Sequence, residues 1–256
     1  MKIVVAIKQV PARDSLLRVN SAGTWIETED LSWEINEPDA YALEEALQLK
    51  EKHGGEVIAL CAGPERAAQS IREALAKGAD RAIHVREENP AALDTLALAR
   101  VLAKAAEAEK PDLILTGLQS DDLGYGQTGV VMAELLGLPH GTIIMEVEKH
   151  DGAIRVKREL ESGWFQWVTL PLPAVLTIQS GIRRLRYATL MGIKRAKTKE
   201  IRAVTAADLA ADTASAAIVE RVYQPKREKH TQIFQGAPKE AAQQLVEKLR
   251  FEVRAI

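Results

Sequence analysis

From Pro111 to Gly129 the chain reads PDLILTGLQSDDLGYGQTG: an apolar run, a glycine-punctuated loop with adjacent acids Asp121 and Asp122, then Gln127, Thr128 and Gly129. Leu113 to Leu115 read as a strand and VVMAELLG as a helix, so the loop sits at the carboxyl end of a strand in an open α/β sheet. Free N–H groups and the macrodipole at such a helix start hold an anion, each charge contact contributing about 0.3–1 kcal/mol. No lysine follows the glycines, so the loop is not a phosphate-cleaving G-x-x-x-x-G-K-[ST] motif and suits holding a nucleotide. The competing reading is a solvated βα turn whose glycines serve geometry alone. Asp121 and Asp122 are placed to cap N–H groups or accept a ribose hydroxyl, rather than to act as an acid/base or metal-binding pair. A second candidate is Asn36, Glu37, Pro38 and Asp39, a turn that offers side-chain oxygens and backbone N–H groups at a helix start and that also reads as plain capping. Ala6 and Ala62 lack bulk at strand ends where a flat base would approach, although small residues are common in packing.

A third feature is RRLRYATLMGIKRAKTK, with seven basic residues and no acid between Arg183 and Lys199. It reads as a solvated basic loop, as a nucleic-acid patch, or as an apolar anchor on a charged loop built from Tyr187, Leu190, Met191 and Ile193. The surrounding charge would speed encounter with an acidic partner. Elsewhere the chemistry thins out. His53, His84, His140, His150 and His230 show no metal-ligand spacing, and there is neither a G-x-S-x-G elbow nor a G-x-G-x-x-G after the first strand. No catalytic or metal-binding residue is assigned. The single cysteine, Cys61, excludes an intrachain disulfide framework and reads as a buried, inert thiol.

Positioning these residues requires a sizeable fold. The 256 residues are 46% hydrophobic and 27% charged, with a formal net charge of −2, which argues against a general nucleic-acid binder. No apolar run approaches the roughly 20 residues of a membrane span. MKIVVAIKQV reads as a first strand and not a secretory signal, so cytoplasm or an organelle matrix is expected. Lys2 to Val10 is a strand, LLRVN and TWIET form a hairpin, and AYALEEALQLKEKHGG is a helix that carries its acids early and its bases late. Strands at Glu56 to Cys61, Arg81 to Val85 and Leu113 to Leu115 alternate with helices at Glu65 to Lys77 and Ala91 to Glu109. That alternation predicts a mostly parallel, twisted sheet with helices on both faces. Strand-like runs at Ile143 to Val147, Ile154 to Leu160, Trp164 to Leu170 and Ala174 to Ile178 predict an antiparallel portion. Gly181 to Lys199 reads as irregular, Thr205 to Leu209 as a helix, and Val222 to Pro238 as a polar connection to a last helix at Lys239 to Arg250. The expected domains are residues 1–222, a nucleotide-binding α/β domain, and 223–256, an arm and helix that dock on this sheet or on another subunit.

Longer segments carry a resemblance. VKRELESG, LPLPAVLTIQSGI and RYATLMGIKRAKTKEI, with AIKQVP, NEPDAYALEEAL, GADRAIHV and GLQSDDLGYGQTG, resemble electron transfer flavoprotein β subunits, in order and over nearly the whole chain. The resemblance implies a fold like the adenine nucleotide α-hydrolases and a heterodimer with an α subunit that carries most of the FAD site. On it the C-terminal arm is expected to dock on that partner. Electrons would come from acyl-CoA or related dehydrogenases, in fatty acid oxidation for instance, and pass to a quinone reductase. The β subunit itself would hold an AMP without redox function. By motif match that pocket would use Ala6, Asn36 to Asp39, Ala62 and the segment Gly117 to Thr128, with Gln119, Asp121, Asp122, Gly124, Tyr125, Gly126, Gln127 and Thr128 as its named residues. Leu190 would anchor the dehydrogenase, and Glu159 would bias the swing of the flavin domain. Arg183, Arg184 and Leu185 stand where the family commonly has Asn-Glu-Pro, Met191 and Gly192 stand where proline and asparagine often follow the anchor, and Gly124-Tyr125-Gly126 replaces acidic or small polar residues. Two alternatives follow: a second FAD in the β site, as in relatives that split electron pairs, and an ATP-binding homodimer resembling universal stress proteins.

Overall fold

The structure, a computed structural model, describes residues 1–89, 92–226 and 231–255; the expected start of the third helix at Ala91 and part of the connection after Val222 lie outside them. Two compact units are present, Met1–Val222 and Tyr223–Ile256. In chain order the strands are β1 (Lys2–Ala6), β2 (Gln9–Pro11), β3 (Trp33–Ile35), β4 (Glu56–Gly63), β5 (Arg81–Arg86), β6 (Leu113–Gly117), β7 (His140–His150), β8 (Ala153–Glu159), β9 (Phe165–Pro171), β10 (Ala174–Ile178) and β11 (Ile201–Thr205). The helices are α1 (Glu37–His53), α2 (Ala68–Lys77), α3 (Thr95–Glu107), α4 (Thr128–Leu136), α5 (Leu190–Ala196) and α6 (Pro238–Glu247).

Nine strands form one sheet in the order β11-β5-β4-β1-β6-β10-β7-β8-β9, while β2 and β3 make a separate antiparallel ribbon. From β11 to β7 every pairing is parallel; β7 with β8 and β8 with β9 are antiparallel. The central strands are continuous apolar runs because both faces are covered. Ile3, Val5, Val57, Ala59, Leu113 and Leu115 pack on one face with α1 and α2, and Val4, Ile58, Leu60 and Ile114 pack on the other with α3 and α4. From β1 the chain winds outward through β4 and β5, then crosses back so that β6 lies on the other side of β1. The carboxyl ends of β1 and β6 therefore flank a topological switch point, where open α/β sheets leave a crevice.

Local sequence explains the helices that meet this crevice. Pro38 stands in the first turn of α1, Glu37 and Asp39 face its positive end, and Lys50, Lys52 and His53 complement its negative end before Gly54 (φ +72°) stops it. Helix α4 ends at Gly137 in the left-handed conformation (φ +64°).

Some elements differ from expectation. The first strand breaks after Ala6, because Lys8 turns out of the sheet and the chain restarts as β2. The hairpin around Gly23 closes through one bridge, Val19 to Ile26. The segment expected to be irregular holds α5, which Thr189 nucleates by accepting a hydrogen bond from Gly192 N (3.0 Å). Residues 206–210 are a turn and not a helix; Asp208 holds it by accepting from Thr205 N (2.8 Å). In the second unit α6 continues into a π-type turn, Lys248–Val253, and Leu245, Val246, Phe251 and Val253 are exposed.

Gly129 lets α4 approach the sheet, because a Cβ there would lie 2.5 Å from Thr116 Oγ1 and 2.7 Å from Thr177 Cγ2. Gly129→Ala is expected to destabilise the chain by about 1–3 kcal/mol through overpacking. A urea titration should show a lower midpoint at unchanged m-value, and an unshifted midpoint would mean that the helix simply backs away.

Candidate functional site

Ile7 N still donates to the Leu60 carbonyl (2.8 Å), but from Lys8 onward β1 has left the sheet and needs another acceptor. Asp39, in the first turn of α1, supplies it. Its Oδ2 accepts from Lys8 N and its Oδ1 from Gly117 N at the end of β6, each at 2.8 Å. One carboxylate thus joins the two strands at the switch point. Asp39 is 7% exposed, and burial pushes its pKa up to about 7 despite the opposing effect of both N–H donors, Asn36 and the Lys8 charge.

Asn36 secures the glycine loop in the same manner. Its Nδ2 donates to the Gln119 carbonyl (2.9 Å), and its Oδ1 accepts from Asp121 N (2.8 Å). Asp121 in turn caps α1, its Oδ2 accepting from Glu37 N (3.2 Å), while Arg13 pairs with Glu37 and lies 3.6 Å from Asp121. Lys8 Nζ sits 2.7 Å from Asp122 Oδ1 and 3.4 Å from Ser120 Oγ. Burial alone would raise the Asp122 pKa; the Lys8 charge and the hydrogen bonds around it hold the carboxyl below its ordinary range. Asp122 is therefore held in an ion pair with Lys8, and Asp121 is engaged as the cap of α1. No group of three or more metal-ligating side chains occurs among the described residues.

The groups left for a ligand are chiefly backbone donors. Among the described residues no side chain caps α4, no acid stands in its first turn, and its first intrahelical bond runs from Val131 N to the Gln127 carbonyl. The N–H groups of Thr128, Gly129 and Val130 precede that bond, with the Thr128 hydroxyl beside them. Gly124 (φ +66°) and Gly126 (φ +63°) take left-handed conformations that let the loop curl back, and Tyr125 between them is exposed. Ala6, Ala62 and Gly63 keep the ends of β1 and β4 free of bulk. Beside them Gln9 Nε2 donates to the Arg66 carbonyl and Ser70 Oγ, which leaves Oε1 buried without a partner among the described residues. N–H donors, a hydroxyl and an absence of bulk make a donor set that fits an adenylate.

The fold brings Ala6, Ala62, Asn36 to Asp39, Gly117, Gln119, Asp121, Asp122 and the start of α4 to one end of the sheet. Glu159 lies at the same end of the sheet but three strands from β6, at the end of β8, where it accepts from Gln179 Nε2 (3.2 Å). Tyr187, Leu190, Met191 and Ile193 form a separate exposed group at 92%, 88%, 57% and 46% accessibility. Cys61 is fully buried, and burial pushes its thiol up to about 12.

Residues 24–209 match the electron transfer flavoprotein domain. The chain is 40% identical over 255 residues to the electron transfer flavoprotein subunit beta of Bos taurus, covering 98% of this chain and 97% of that protein. It is 37% identical over 257 residues to the subunit beta of Methylophilus methylotrophus (96% and 97% covered), and 37% identical over 259 residues to the mitochondrial subunit beta of Oryza sativa subsp. japonica (100% of both). The chain belongs to the electron transfer flavoprotein β-subunit family. Within this β-subunit fold, reading the residues alone missed Lys8, which supplies a cation to the glycine loop from the link between β1 and β2; the one available signal was a lysine interrupting an apolar run.

Asp39 predicts a pH dependence. The folded β subunit keeps its Asp39 proton up to about pH 7, while the unfolded chain loses it near 3.8, so the native state binds more protons between the two values. Stability falls as pH rises through that window and levels above it, by an amount of the order of 4 kcal/mol at most, taking about 1.36 kcal/mol per pKa unit. Asp39→Asn should remove this slope when guanidinium midpoints are compared at several pH values from 4.5 to 8, and an unchanged slope in the variant would assign the titration to another group.

Proposed function

We propose that this chain is the β subunit of a heterodimeric electron transfer flavoprotein. It accepts electrons from acyl-CoA or related dehydrogenases and passes them to a quinone reductase, without catalytic residues of its own. The observation that carries the reading is the switch point in the strand order beside β1, in a chain whose full length is similar to proteins named electron transfer flavoprotein subunit beta. Asn36, Asp39 and Lys8 fix that crevice with their side chains turned to the chain's own backbone and loop, so their part is to shape it. Recognition of AMP falls to the backbone N–H groups at the start of α4, the Thr128 hydroxyl and the loop Gly117 to Thr128. The AMP fills and rigidifies the crevice, and a FAD bound mainly by the α subunit supplies the redox chemistry when present.

Two further surfaces complete the reading. The exposed group Tyr187, Leu190, Met191 and Ile193 on a basic segment docks the dehydrogenase, with Leu190 as anchor. Residues 223–256 form the arm that docks on the α subunit; their exposed Leu245, Val246, Phe251 and Val253 suit that role. Glu159, on the antiparallel portion, acts on the flavin domain through its charge. A cytoplasmic or mitochondrial-matrix location goes with these partners, and no helix among the described residues is long and apolar enough to cross a membrane.

Co-expression with the α subunit should give a stable one-to-one complex whose acid extract contains AMP and one FAD. A yellow β chain purified alone would mean a second FAD in the β site, and an ATP-loaded homodimer would overturn the carrier reading. Thr128→Asp places an anion where phosphate is proposed to bind, so AMP content should fall well below one per complex and assembly should weaken; AMP retained at full stoichiometry would move the phosphate elsewhere. Leu190→Ala should slow flavin reduction by the dehydrogenase about tenfold or more, since burying one leucine contributes roughly 1.5–3 kcal/mol, with flavin content unchanged.

A further inference from the structure

We propose that Glu44 and Glu45 of α1 are positioning residues for dehydrogenase docking, acting through Arg186 and Arg183 to hold the segment that presents Leu190. The proposal rests on the docking reading above. Glu44 and Glu45 are 4% and 0% exposed, and beyond the first turn of α1 the other buried residues of the helix are alanines and leucines. Each reaches an arginine far along the chain. Arg183 Nε donates to Glu45 Oε2 (2.7 Å), and Arg186 Nε donates to Glu44 Oε2 (2.8 Å) while its Nη2 donates to Glu44 Oε1 (3.0 Å). Arg186 also holds Glu51 through Nη1 (2.6 Å), and its backbone N–H donates to Glu44 Oε2 (3.3 Å).

These contacts alternate with apolar ones. Ile182 is buried and Leu185 packs on the same core, so residues 182, 185 and the two arginines fix this stretch in position and in rotation. Tyr187, 92% exposed, follows Arg186 directly. Downstream, Thr189 caps α5, and Arg72 Nη1 on α2 donates to the Ala196 carbonyl (2.5 Å) and the Lys199 carbonyl (2.9 Å). The exposed group is therefore strapped to α1 on one side and to α2 on the other. Planar, two-pronged arginine–carboxylate pairs set orientation as well as distance, which a lysine does not reproduce. The pairs also hold the pKa of both arginines up, chiefly through hydrogen bonds to Glu45 and Glu44.

The test uses the flavin-loaded αβ complex, reduced by an acyl-CoA dehydrogenase and its acyl-CoA substrate. Four variants are compared: Arg183→Met with Glu45→Gln, which leaves no charge unpaired; Arg186→Lys, which keeps the charge and loses the fork; Lys104→Met, which removes an exposed charge on α3, away from the docking segment; and Leu190→Ala. The strap variants should raise the KM for the complex at least fivefold with kcat nearly unchanged. They should also speed amide hydrogen exchange over residues 187–196, while flavin and AMP contents stay at wild-type levels. Lys104→Met should stay within about twofold of wild type. Strap variants no worse than Lys104→Met, with Leu190→Ala impaired, would overturn the positioning role and leave the docking reading intact. An unimpaired Leu190→Ala would overturn the docking reading and this proposal together. Should the double variant fail to assemble, Arg186→Lys carries the same decision.

Discussion

A parallel sheet that winds in both directions from its first strand parts its neighbouring crossovers at the switch point, and backbone N–H groups at the strand ends are left without ladder partners. In this chain one buried carboxylate resolves the problem. Asp39 accepts from Lys8 N on one side and Gly117 N on the other, and because it lies in the first turn of α1 it fixes the start of that helix against both strands. Gly117 is obliged to be glycine for the same reason, since a Cβ there would collide with Asp39 and with Pro38 Cβ at 2.6 Å. The ends of the two strands are thus held by a side chain that would not itself need to touch a ligand.

Helix α1 extends this constraint across the molecule. Asn36 immediately before it, and Asp39, Glu44 and Glu45 within it, are all buried, each engaged by backbone or by an arginine, in a helix otherwise packed by small and aliphatic residues. Buried polar groups with complete partners tolerate few alternative rotations, because any slip leaves a charge or an N–H unsatisfied in an apolar setting. A helix held only by Leu43, Ala46 and Leu47 could slide with modest loss. The same helix held by Asp39 at one end and by Glu44 and Glu45 in the next turns cannot.

Much of this was legible before any coordinates. Continuous apolar runs at Lys2–Ala6, Glu56–Gly63 and Leu113–Gly117 announce strands buried on both faces, and the acid-to-base gradient of α1 with its glycine stop announces a helix. The glycine loop was legible as a loop, but the work of its neighbours was not. Asn36 and Asp39 read as oxygens offered to a ligand, whereas in the fold they bind Gln119, Asp121, Lys8 and Gly117, contacts 31 to 85 residues apart in the chain that no local pattern encodes. The basic segment read as irregular because its strong lysines and arginines hide a short helix; α5 exists through the Thr189 cap and its packing on α2, where Gly192 passes close to the Ala76 carbonyl. Propensity is a weak prior in seven residues, and tertiary contact decides.

The two candidate surfaces differ in a way that suits a carrier. The strand ends at the switch point are tied by charged and backbone hydrogen bonds into one frame, which would favour a ligand that stays. The group around Leu190 exposes the apolar side chains of Tyr187, Leu190, Met191 and Ile193 among cations. In the proposed docking, a single leucine anchor would contribute about 1.5–3 kcal/mol, enough to register a partner and little enough to release it, while basic surroundings would speed encounter more than they strengthen a complex. A carrier that must be reduced by one protein and oxidised by another needs short-lived contacts, and for such contacts orientation on arrival matters more than residence time. On the proposed docking role, strapping that segment to two helices would lower the ordering cost of each encounter, so that a weak anchor would still deliver a defined pose.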